Sequence, residues 1–181
     1  LLVHDNQLCL SLFAPDGKAI CRQPALHLAV DLRDELRVGE NIEVVDTELG
    51  KLALCVDEDA LSPQVARTAA MKGARILVSD QQVNPLEDTP QRIRQTAWNI
   101  AQTNGLYVIA ITSKGVTVIC PANLNRAKDG ILLQQTSIYP VRFGLNLERL
   151  EECRTQLPVL ERINVGLATR YGKQLGGIED A

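Results

Sequence analysis

The sequence predicts an α/β protein, a mixed sheet with helices packed on its outer side. Three observations carry this prediction. Apolar, β-prone runs alternate with helical segments through the middle of the chain, and two helices open on the same cap-and-proline signature. Turn signals rich in Gly and Asp then separate the later runs as hairpins.

Residues 8–13 are apolar and β-prone, Pro15-Asp16-Gly17 is a turn signal, and residues 19–22 can return antiparallel. Residues 28–37 alternate acid and base and read as an exposed loop or a short helix. A strand over 42–46, the turn Glu48-Leu49-Gly50 and a strand over 51–56 come next. Within that last strand Leu52, Ala53, Leu54, Cys55 and Val56 are apolar on both faces, which predicts a buried central position.

Ser62 can cap a helix, Pro63 suits its first position, and Gly73 fits a left-handed stop beyond its end. A strand over 75–79 leads to Thr89-Pro90, which repeats the helix start. Ile93, Ala97, Ile100 and Ala101 then form one apolar stripe ending at Asn104-Gly105. Residues 106–112 are the cleanest buried strand, and Ser113-Lys114-Gly115 turns it back into a strand over 116–120. Lys128-Asp129-Gly130 turns into a strand over 131–135, and residues 147–154 read as a short helix. Residues 1–170 make one domain, with 171–181 a Gly-rich polar tail. These patterns do not decide between one mixed sheet and two sheets packed face to face.

Bulk properties narrow the function. Of 181 residues 45% are apolar and 23% charged, and the net charge of −3 is spread along the chain, as in a soluble globular protein. No basic stripe or aromatic platform suggests a nucleic-acid surface, and no apolar run is long enough to span a membrane. The five cysteines are an odd number without a CxxC pair, which predicts free thiols in a reducing cytoplasm. His4 and His27 are too far apart in sequence for a helical metal pair, so no metal site is expected.

Cys55 is the candidate nucleophile. It ends a buried strand, stands beside Asp57, Glu58 and Asp59, and precedes a capped helix by a short loop. A helix N-terminus favours a thiolate, while neighbouring carboxylates raise the thiol pKa. On this reading its sulfur borders a pocket; the alternative is a core cysteine that finishes a hydrophobic strand. A thiol hydrolase built on Cys55 and His27 needs an orienting Asn or Asp, which the sequence does not place.

Three stretches together resemble the nitrilase-superfamily carbon–nitrogen hydrolases: Gly50 through Cys55 to Asp57, Ser62-Pro63-Gln64 with Arg67, and Lys72-Gly73-Ala74 before the next strand. Pro15-Asp16-Gly17, the helix around Trp98-Asn99, the strand over 106–112 and Leu145-Asn146-Leu147 fall in that family's order. The resemblance implies an α-β-β-α sandwich, here lacking its opening strand–helix units, since Leu1 is not an initiator and the match begins inside the family pattern. It implies hydrolysis of a small amide, carbamoyl compound or nitrile, with Cys55 attacking carbon, a thioester or thioimidate released by water, and no metal or organic cofactor. It also implies a homo-oligomer, and supporting pocket positions at Asp57, Gln64, Asp34 and Gln81, with the loop over 81–88 near the mouth.

The family's Lys precedes a His-Leu pair, and before His27-Leu28 that position is Ala25. Its Pro-Glu is Pro63-Gln64, the aromatic after Cys is Val56, and the general-base Glu would lie before Leu1. Asp31, Asp34 and Glu35 are loose counterparts of a further Glu. The resemblance therefore implies either a hydrolase or a catalytically inactive member kept for binding or assembly.

Overall fold

The computed structural model describes residues 1–82, 89–164, 166 and 170. Strands β1 (Leu2–His4), β2 (Gln7–Phe13) and β3 (Ala19–Pro24) form a three-stranded antiparallel sheet. Strands β4 (Val44–Thr47), β5 (Gly50–Val56), β6 (Ile76–Gln81), β7 (Tyr107–Thr112), β8 (Gly115–Ile119) and β9 (Ile131–Thr136) form a six-stranded sheet in that order. Within it β5, β6 and β7 run parallel, and the other neighbours are antiparallel. The described residues therefore form two sheets.

Strand β1 has no signal in the apolar pattern, because all three of its residues are exposed. Its register comes from the turn: Asp5 and Asn6 both take positive φ, 51° and 60°, as a two-residue hairpin of primed type requires. Asp-Asn between His4 and Gln7 was the local cue.

Alternation along β5 assigns its faces. Ala53 and Cys55 join Leu77, Val108 and Ala110 on the side covered by α1 (Pro63–Met71) and α2 (Pro90–Asn104). Helix α1 contributes Val65, Ala66, Ala69 and Ala70, and α2 contributes Ala97, Ile100 and Ala101. These small side chains let the helices lie close on the sheet. Thr89 Oγ1 accepts the Arg92 N–H at 3.1 Å, and Gly105 closes the helix with φ 61°. At α1 the expected Ser62 cap is absent: Ser62 stands at the cap position but makes no capping bond, and its hydroxyl donates to Gln64 Oε1 instead.

On the opposite face Leu52, Leu54, Ile76 and Tyr107 meet Leu10, Leu12 and Cys21 of the small sheet. Helix α3 (Leu147–Gln156) packs here too, through the fully buried Leu150, rather than on the outer layer with α1 and α2. The Tyr107 hydroxyl donates to the Asn146 carbonyl at 3.0 Å and accepts the Asn146 N–H at 3.1 Å, which fixes the start of α3 on the sheet. Beside it lies an apolar cleft of about 690 Å³ that includes Leu52, Ile76, Ile109 and Phe143. No described helix is long and apolar enough to cross a membrane. The polar tail predicted over 171–181 lies outside the described residues.

Candidate functional site

The parallel strands β5 and β6 end side by side, with Val56 opposite Asp80 in register. Ligands of open α/β sheets bind outside such carboxyl ends. Past Val56 the chain bends sharply into a 3₁₀ turn over Asp57–Leu61, and Asp57 takes φ 46°. A non-glycine residue held in the left-handed region is strained by roughly 1–2 kcal/mol, less for Asp than for a bulky side chain. The Asp57 carboxylate accepts the Gln82 N–H at 2.8 Å, so the bend is tied to the end of β6.

Cys55 stands two residues before that bend and is 0% exposed. Its side chain enters the core between the sheet and α1, beside Ser79, its partner in register on β6. Burial pushes the thiol well above its ordinary range, and the Asp59 carboxylate raises it further; a hydrogen bond with Ser79 opposes both. Cys55 does not line the apolar cleft beside α3, the two grooves that include Arg154, or the two between α1 and α2. Position 55 lies on the helix-facing side of β5 with Ala53, and the strand ends one residue later, at Val56, before the bend at Asp57.

The other expected pocket residues divide. Asp57 and Gln81 come together at the ends of β5 and β6, where Gln81 Nε2 donates to Ser79 Oγ at 3.0 Å. Gln64 lines a groove between α1 and α2. Asp34 is exposed on the connection from β3 to β4. These two do not join the first pair. Of the loop expected at the mouth, residues 83–88 lie outside the described residues. Ala25 is fully buried against Leu8, Leu28 and Val56, so no polar group enters the site from that position.

One relationship escaped the sequence. Asp59 is 1% exposed, and its carboxylate accepts the Leu26 N–H at 3.0 Å, the His27 N–H at 2.8 Å and His27 Nδ1 at 2.9 Å. A carboxylate only accepts, so Nδ1 carries the proton and Nε2 is left with its lone pair in the neutral ring. The His27 side chain is 50% exposed. The orienting acid that a histidine mechanism needs is thus Asp59, distant in sequence and in a different element.

The chain matches the carbon–nitrogen hydrolase family over residues 8–141. It is 28% identical over 139 residues to a probable hydrolase of Bacillus subtilis, YhcX, covering 67% of this chain and 26% of that protein. Its fold is similar to a carbon–nitrogen hydrolase from Helicobacter pylori, with TM-score 0.71 and 24% identity, covering 88% of this chain and 64% of the other. It is also similar to a point mutant of an amidase from Nesterenkonia, with TM-score 0.62 and 18% identity, covering 81% and 58%. The chain spans less than two thirds of each of these relatives.

Proposed function

The chain belongs to the carbon–nitrogen hydrolase family, and from that premise we propose that it binds a small amide or carbamoyl compound without attacking it through Cys55. The observation that carries this reading is the placement of Cys55, fully buried on the helix face, two residues short of the bend that presents Asp57. A thiol whose pKa is raised by burial is a poor source of thiolate, and thiolate is the nucleophile. Ala25 adds no cation for a developing oxyanion, an interaction typically worth about 10²–10³ in rate. What the strand ends do offer is a carboxylate at Asp57 and an amide at Gln81, both able to accept a hydrogen bond from an –NH₂ group. An amide or carbamoyl ligand carries that group, whereas a nitrile does not.

A second reading is hydrolysis through a Cys55 thioester. Family membership favours it, as does the similarity to a probable hydrolase; a mutant of the Nesterenkonia amidase carries the acetamide moiety of fluoroacetamide on its active-site cysteine. Self-association is the partner this family reading adds, and sedimentation velocity tests it. Ammonia release across simple amides, N-carbamoyl amino acids and nitriles, run beside ligand-induced shifts in melting temperature, separates the readings. We expect shifts with amides or carbamoyl compounds and no ammonia that depends on Cys55. Turnover abolished by Cys55→Ala, in a variant that melts like the parent, would overturn the binding reading.

A further inference from the structure

We propose that His27 is a general base that activates water for attack on small acyl esters, held in its working tautomer by Asp59. The inference goes beyond the binding reading and does not depend on which ligand that site takes.

The Asp59 carboxylate accepts the Leu26 and His27 N–H groups and His27 Nδ1, so it is committed to one loop. Buried at 1% exposure, it cannot turn to water without leaving those donors unpaired. The imidazole is therefore fixed at Nδ1 while half of its side chain faces solvent. The loop sits on the 3₁₀ turn just beyond the carboxyl end of β5, the edge where the fold presents Asp57. His4 provides an internal comparison. Its Nδ1 lies 3.0 Å from Asp5, but that acid is 83% exposed and the pair is free to exchange with water. A buried, fully engaged acid distinguishes His27 from the other histidine of this chain.

In the proposed step a water oxygen bonds to the acyl carbon while His27 Nε2 takes the water proton. The tetrahedral adduct then breaks its bond to the leaving oxygen. That oxygen departs with the proton from Nε2, or as a phenolate with the proton passing to solvent. The products are a carboxylic acid and an alcohol or phenol, and the imidazole returns to its neutral form. No metal, oxidant or covalent enzyme intermediate enters the balance.

The test uses p-nitrophenyl acetate as the probe, with nitrophenolate release followed by absorbance and the fold of each variant checked by thermal melting. Hydrolysis should exceed that of free imidazole at equal concentration. His27→Gln should lower the excess rate by about tenfold or more, whereas His4→Gln should leave it unchanged. Added imidazole should restore the rate of His27→Gly, a rescue that a merely structural role would not show. Asp59→Asn, if it melts like the parent, should fall with His27→Gln. Wild-type hydrolysis no faster than free imidazole would overturn the proposal. So would a full rate in His27→Gln, failure of rescue in a folded His27→Gly, or acetyl groups accumulating on His27.

Discussion

Asp59 Oδ1 lies 2.9 Å from His27 Nδ1, and the same carboxylate takes the backbone N–H groups of Leu26 and His27. One buried acid thus joins the loop after β3 to the turn after β5, linking the small sheet to the large one. The consequence is first of all for stability. Asp59→Ala should destabilise the fold by about 2–4 kcal/mol, because it leaves two backbone donors without their acceptor. Urea denaturation of the folded variant checks the figure, and a loss within the error of the wild type would show that water replaces the carboxylate freely.

The strain at the strand end makes an opposite prediction. Asp57 holds φ 46°, a region that glycine enters without steric cost. Asp57→Gly should therefore cost little or stabilise by up to about 1 kcal/mol, with relief at the bend offset by the lost bond to Gln82 N–H. Asp57→Val should destabilise by about 1–2 kcal/mol, since a β-branched side chain tolerates the left-handed region poorly. Equal melting temperatures for the two variants would argue that the bend relaxes.

Much of this was legible in the chain. Pro63 and Pro90 both open helices, and Gly105 ends one, because those signals act over three or four residues. Ile93, Ala97, Ile100 and Ala101 are all buried, as a single apolar stripe requires. The site was harder to read. The identity of Cys55 and its place on an apolar strand were plain, but which end-of-strand residue is presented depends on where the strand stops and bends. Strand β5 ends at Val56, and the bend falls on Asp57. The His27–Asp59 pair was invisible because its partners sit on different elements, with no fixed spacing to search for. The second sheet could not be read from alternation either, since one sheet and two give the same apolar faces along β5.

Alkaline solution should weaken the fold through its cysteines. Burial pushes the Cys120 thiol up to about 11 and raises Cys55 as well. In the unfolded chain these thiols ionise near their ordinary values, about 8.5–9, so above that range the unfolded state sheds protons that the folded state keeps. Stability is thus fully present below about pH 8.5 and falls as pH rises toward the folded values. Urea titrations from about pH 8 to about pH 10.5 should show this decline, and it should be shallower in Cys120→Ala. A flat profile in the wild type would mean that the buried thiols ionise in place.

Burial of Cys55 on the helix face means that reagents should not reach it in the folded protein. Native-state alkylation with iodoacetamide, quenched at intervals and resolved by peptide mass mapping, measures this for all five cysteines at once. Cys153, half-buried on α3, should be modified first. Cys55 and Cys120, both 0% exposed, should react together and only as the protein unfolds. Their modification should accelerate in parallel when urea is added. Alkylation of Cys55 ahead of Cys153 in the native protein would contradict the account, and would restore the thiol as the attacking group.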